Sequence, residues 1–125
     1  MSAGPPSSLG EKLAAALAAK DPERLAAVVD PDLDFRGLTP NQAWEGSTAA
    51  EFIAVALERW FEASDHIDGV IDVTSEAFAD RETVTYSFRG HNDDGPFVLE
   101  QSAYFTERDG RIAWLRVLCS GFRPA

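Results

Sequence analysis

At 125 residues, with a formal net charge of −10 and a pI of about 4.5, the chain is the size of one domain and lacks the basic footprint that nucleic acid or anionic lipid would need. A single cysteine, Cys119, excludes an internal disulfide, and no apolar run approaches the roughly 20 residues that span a bilayer. The N-terminal Met1-Ser2-Ala3-Gly4-Pro5-Pro6 has no basic region, and the apolar Leu13–Ala19 is bracketed by Lys12 and Lys20, so no secretory signal is read. The expectation is a flexible tail over residues 1–7 and one soluble, cytoplasmic domain over 8–125, with a small hydrophobic molecule as its partner and neither nucleic acid nor membrane.

Ser8-x-x-Glu11 is a capping box ahead of the Ala/Leu-rich Glu11–Lys20, and predicts a first helix. Asp21-Pro22-Glu23 supplies an N-cap, a proline in the first helical position and an early acid, so a second helix should run from Pro22 to about Val29. Asp32–Gly37 alternates Leu33 and Phe35 with Asp34 and Arg36 as a short strand does, and Leu38–Glu45, with Pro40, Asn41 and Trp44, reads as a loop. Thr48-x-x-Glu51 caps a long helix over Ala49–Ala63, whose stripe of Ala49, Phe52, Ile53, Ala56, Trp60 and Ala63 is wide enough to cover a sheet.

Strand character then dominates. Ile67–Phe78 is rich in β-branched residues with a break at Gly69, and Thr83–His91 alternates Val84, Tyr86 and Phe88 with polar positions. The last hairpin turns at Asp109-Gly110. A three-residue loop with Gly110 left-handed would set Glu107 against Arg111 and Tyr104 against Trp114. One face then carries Leu99, Gln101, Ala103 and Phe105 against Ala113, Leu115, Val117 and Cys119; the other carries Glu100, Ser102, Tyr104 and Thr106 against Trp114, Arg116 and Leu118. Helices followed by a run of strands imply an α+β fold, with the helices on one face of a curved antiparallel sheet that closes into a cone.

The paired N-terminal helices, the Trp44-Glu45-Gly46-Ser47-Thr48-Ala49-Ala50 lead into the long helix, and the Phe105-Thr106-Glu107-Arg108-Asp109-Gly110-Arg111-Ile112 hairpin carry a resemblance to the nuclear-transport-factor-2-like superfamily, with its cystatin-like α+β barrel. The chain most resembles the superfamily's small SnoaL-like and ketosteroid-isomerase-like members, from Leu13 to Phe122. The resemblance implies a cone-shaped sheet on the long helix, a deep pocket between them and dimerisation through the outer sheet face. The family it resembles includes isomerases, cyclases, dehydratases, epoxide hydrolases and proteins without catalysis, and the expectation is a cofactor-free isomerase, cyclase or dehydratase working by proton transfer, or else a non-catalytic ligand-binding protein or a dimerisation or regulatory module. The family's acids are not matched: the first helix offers only Ala and Leu inward, the penultimate-strand acid falls on Ala103, the base near Arg36 or Gly37, and the last-strand acid on Leu118 or Cys119.

Tyr86 faces roughly Gln101 on the inner face, and phenol and carboxamide would either donate to a ligand carbonyl and its developing oxyanion or bond one another. Phe35, Trp44, Trp60, Phe88, Leu99, Ala103, Leu115, Val117 and Cys119 are the expected walls of an apolar site, with core packing as the alternative for Trp60. Cys119 reads as an inert thiol or a nucleophile, and Asp34 with Arg36 as a solvated pair or a base and anion clamp. His66 with Asp65 and Asp68, or His91 with Asp93 and Asp94, lacks metal-ligand spacing; no metal or cofactor is expected. On the outer face Tyr104, Trp114 and Leu118, with Glu100 and Arg116, are expected to form a homodimer, or else a Tyr–Trp cross-strand pair on a monomer.

Overall fold

The computed structural model describes residues 8–40 and 42–125, the Phe78 side chain excepted; the expected tail over 1–7 and the loop residue Asn41 lie outside them. Each helix begins where a side chain caps it. Ser8 Oγ accepts from Glu11 N at 3.1 Å and Glu11 Oε1 from Ser8 N at 3.2 Å, opening α1 (Leu9–Ala19). Asp21 Oδ1 accepts from Glu23 N and Arg24 N at the start of α2 (Pro22–Val28). Thr48 Oγ1 accepts from Glu51 N at 3.1 Å and opens α3 (Ala49–Ala54).

The helix does not run to Ala63. From Val55 to Arg59 it widens into a π turn, closed by Trp60 N donating to Val55 O at 3.0 Å, and it ends at Trp60. Trp60 and Phe61, at the end of the helix, are both buried. Asp65 secures the turn that follows, its Oδ2 accepting from Glu62 N and its Oδ1 from Asn92 Nδ2. Lys20, left-handed at the end of α1, donates to the Asp65 carbonyl and lies over the Phe61 ring.

The strands are β1 (Val29–Thr39), β2 (Gln42–Gly46), β3 (His66–Phe78), β4 (Arg81–Asn92), β5 (Gly95–Arg108), β6 (Arg111–Cys119) and β7 (Arg123–Pro124). They form one sheet in the order β2-β1-β6-β5-β4-β3. Two expectations are corrected here. The stretch read as a loop carries β2, which pairs with β1 so that Trp44 stands opposite Gly37, and the sheet is mixed because β1 runs parallel to β6. Since β4 occupies one edge of β5 from Glu82↔Phe105 to Asn92↔Gly95, β7 continues the other edge beyond the end of β6. Register shifts between Ile67 and Gly69, Val70 and Asp72, and Thr106 and Glu107 bend the sheet around the helices.

The β5–β6 hairpin also departs from its expected register. Asp109 shares the positive φ of Gly110 (53° and 81°), which makes a two-residue turn with Arg108 facing Arg111. A bulge at Ala113 then sets Thr106, not Tyr104, against Trp114, and Tyr104 against Arg116. Turn and bulge each move the register by one residue in the same sense. A shift of two preserves the face each side chain takes, so Leu115, Val117 and Cys119 stay inward, while Ile112 replaces Ala113 in the core.

Leu13, Leu17 and Leu25 of the first two helices and Phe52 of α3 meet Phe35, Phe88, Phe105 and Leu115 of the sheet, all buried. Phe35 lies 4.8 Å from Phe52 and 5.9 Å from Trp60 between ring centroids. No helix among the described residues is long and apolar enough to cross a membrane.

Among the described glycines Gly90 has the least room for a side chain: a Cβ there would stand 2.1 Å from the His66 carbonyl oxygen and 2.6 Å from Phe97 Cζ. Gly69, on the same strand pair, has nothing within 4 Å. Gly90→Ala is expected to cost more than about 2 kcal/mol, and Gly69→Ala to be neutral or to stabilise by up to about 1 kcal/mol. Urea denaturation midpoints of the two variants test the contrast.

Candidate functional site

Five large rings, Phe35, Phe52, Tyr86, Phe88 and Phe105, are packed in the core, with Phe105 at one end of the inner face of β5 and Phe88, paired with Leu99, toward the other. Open space survives at the other end as a cavity of about 430 Å³. Trp44, Trp60, Leu99, Phe122 and Cys119 give it apolar walls, Thr39, Pro40, Ser120 and Gly121 line its rim, and Gln101 and Arg59 reach it with polar ends. Of the residues expected to line a pocket, Trp44, Trp60, Leu99, Gln101 and Cys119 come together here. Tyr86, Phe35, Phe88, Ala103, Leu115 and Val117 are instead packed in the core. The reason is volume: a cone this small, with this many rings on its inner face, is largely solid.

Tyr86 and Gln101 face each other across β4 and β5 as expected, and the phenol donates to Gln101 Oε1 at 2.6 Å. Tyr86 is fully buried, so its hydroxyl is committed to this bond. Burial pushes the phenol far above its ordinary value of 10.0, with the neighbouring Cys119 adding in the same direction. Gln101 is 2% exposed and lines the cavity; its Oε1 is occupied by Tyr86, and no described group accepts from its Nε2.

The other polar groups divide into used and unused. Trp44 Nε1 donates to Thr39 Oγ1 at 2.8 Å. Ser120 Oγ accepts from Glu100 N at 2.9 Å and donates to Gly121 O at 2.8 Å. Cys119 Sγ accepts from Gly121 N at 3.4 Å and has no histidine or acid beside it at the cavity. Three donors have no acceptor among the described residues: Gln101 Nε2, Arg59, and Trp60 Nε1, which is buried in a residue 8% exposed. Buried donors in folded proteins are almost always paired, so an open one beside a cavity is informative.

Trp60 is held by an absence of side chain: a Cβ on Gly37 would stand 3.1 Å from Trp60 Cζ2. That glycine, opposite Trp44 on β2, lets both indoles flank the opening. Arg59 lies over the Trp44 ring at 5.3 Å. Sequence reasoning missed Arg59 and Phe122. Arg59 had a signal, because it stands seven residues after Phe52 and so falls on the apolar stripe. Phe122 had none beyond its place after the last long strand; it packs edge-on against Phe97 at 4.7 Å and folds the C-terminal segment over the opening.

The remaining candidates lie elsewhere. Asp34 pairs with Arg116 at 3.1 Å, and Glu100 with Arg123 at 3.7 Å, in place of the expected Glu100–Arg116 diagonal. Trp114 is sandwiched between Arg81 and Arg116, at 4.2 and 4.4 Å. His91 Nδ1 lies 2.9 Å from Asp68 Oδ2 and stacks on His66. Among the described residues no three His, Cys, Asp or Glu side chains are grouped so as to hold a metal ion.

The sequence model of the SnoaL-like domain matches residues 11–115. No functionally curated protein matches the sequence. Among solved structures, a putative isomerase from Bacillus subtilis superposes with a TM-score of 0.68 at 18% identity, covering 91% of this chain and 90% of the other. A putative polyketide cyclase from Xanthomonas campestris does so at 0.66 and 22%, covering 88% and 86%. An LEH-like epoxide hydrolase from M. tuberculosis gives 0.64 at 13%, covering 90% and 80%. At these identities the likeness is one of fold, the α+β cone shared with proteins of ketosteroid-isomerase-like architecture.

Tyr86→Phe leaves Gln101 Oε1 without its donor and is expected to cost about 1–3 kcal/mol at neutral pH. The alkaline response carries a sign. The unfolded phenol gives up its proton near pH 10 and the folded one does not, so the stability Tyr86 contributes is present below that pH and lost as pH rises above it. Above about pH 10 the wild type is expected to lose up to about 1.4 kcal/mol per pH unit more than Tyr86→Phe. Chemical denaturation across the alkaline range measures both slopes.

Proposed function

This chain belongs to the SnoaL-like domain family, and from that premise we propose that it binds a small, largely apolar molecule in the cavity at the open end of the cone, held by a hydrogen bond from Gln101 Nε2 to an oxygen of the ligand. The observation that supports this reading is the inventory of polar atoms: Thr39, Ser120 and Trp44 spend theirs on protein partners, and Gln101 does not. Tyr86 is a positioning residue. By donating to Oε1 it fixes which way the amide turns and leaves the NH₂ group toward the cavity. The walls of Trp44, Trp60, Leu99 and Phe122 supply the apolar contact that drives transfer from water.

A cofactor-free isomerase or lyase is the second reading, favoured by the same donor. An amide N–H beside the cavity would also polarise a ketone and stabilise its enolate. Such chemistry needs a base within hydrogen-bond reach of the substrate C–H, and no Asp, Glu or His is among the described residues lining the cavity. Binding without turnover therefore stands ahead of catalysis.

We also propose that the protein is a homodimer through the outer sheet face. Leu38 and Leu118 are 54% and 55% exposed and, with Ala43, Tyr104 and Arg116, line a groove of about 760 Å³ on the side of the sheet away from the helices. Trp114, covered by Arg81 and Arg116, and Glu100, paired with Arg123, border this patch rather than form its centre.

Two measurements follow. Titration of the protein with decanol, read by calorimetry, is expected to show one saturable site per chain with the alcohol recovered unchanged, and Gln101→Leu to weaken it by about tenfold. Absence of a saturable site, or full affinity in Gln101→Leu, contradicts the assignment. Light scattering is expected to give the mass of two chains, and Leu118→Glu the mass of one; a monomeric wild type contradicts the dimer.

A further inference from the structure

Among the described residues that line the cavity one is charged, and it is positive. Arg59 is the only ionisable cation among the described residues lining it, and no acid faces it there. Elsewhere on the chain Arg81, Arg108, Arg116 and Arg123 each lie within 4 Å of a carboxylate, as the excess of acids in this sequence makes easy. Arg59 has no ion pair or hydrogen bond among the described residues; its guanidinium is laid over the Trp44 ring at 5.3 Å, at the opening. The π turn Val55–Arg59 delivers it. That turn departs from α geometry only here, and the residues it brings to the cavity are Arg59 and Trp60. Gln101 adds the second observation, an amide Nε2 with no acceptor among the described residues, on a residue 2% exposed that lines the cavity.

We propose that the ligand is an amphipathic carboxylic acid that also carries a neutral oxygen, bound with its carboxylate on Arg59 at the opening and its hydroxyl or carbonyl oxygen on Gln101 Nε2. This rests on the cavity being the binding site. The order of the two ends follows from solvation. A carboxylate carried inward to Gln101 would be desolvated beside a neutral donor alone, whereas at the opening it keeps part of its water and gains a guanidinium that is planar and stacked in place. The formal charge of −10 repels an anion at long range. Screening confines that repulsion to about 8 Å at physiological ionic strength, so the group in contact decides the preference.

The test compares ω-hydroxydecanoate with its methyl ester, which keeps chain and hydroxyl and removes only the charge. Calorimetry on the full chain is expected to give the acid about tenfold higher affinity than the ester, and Arg59→Gln, checked by thermal melting for an unchanged fold, to bind both alike at the level of the ester. Equal binding of acid and ester by the wild type, or a preference that survives in Arg59→Gln, overturns the proposal while leaving the cavity as a binding site. If neither compound nor decanol binds, the cavity reading has failed and the proposal with it.

Discussion

A phenol sealed away from water must find its acceptor inside the protein, and for Tyr86 that acceptor is Gln101 Oε1 at 2.6 Å. The bond does more than satisfy one hydroxyl. It sits at the boundary between packed core and open space: behind it the rings of Phe35, Phe52 and Phe105 close the core, and in front of it the other end of the same amide meets the cavity. Turning a carboxamide in place from behind gives the opening a donor of fixed direction without any exposed acid or metal, which suits recognition of a neutral oxygen better than proton abstraction.

The opening itself is made by small departures from regular structure. Gly37 leaves room for Trp60 to lie against β1, the β1–β2 hairpin brings Trp44 across from that same glycine, and the π turn ends α3 early enough for Arg59 and Trp60 to border the cavity. Phe122 closes from the C-terminal side by packing on Phe97. Each departure has a local cost in hydrogen bonding or conformational freedom that the burial of Trp60 and the partial burial of Trp44 offset.

Much of the frame was legible from residue order alone. Capping side chains three residues ahead of a glutamate located α1 and α3, Asp21-Pro22 located α2, and strict alternation put Tyr86 and Gln101 on the inner face, where they stand opposite each other. Inward and outward faces of β5 and β6 survived an error in the turn because two one-residue slips added to an even number. What was not legible depends on contacts distant in sequence. The short β2 has no alternation of its own and exists because β1 offers an edge; the π turn falls within the same apolar spacing as an α-helix, so the spacing does not mark it. Location of the cavity was misjudged for the same reason: alternation tells which residues face inward, and ring volumes summed in three dimensions tell which of those touch a void.

Side-chain amide NMR tests the central claim most directly. On titration with ω-hydroxydecanoate, the NH₂ signals of Gln101 and the indole N–H of Trp60 should shift together and saturate at one ligand per chain. If both stay fixed while signals from Leu38 and Leu118 on the outer face move, the hollow behind Trp44 is not where this protein meets its ligand.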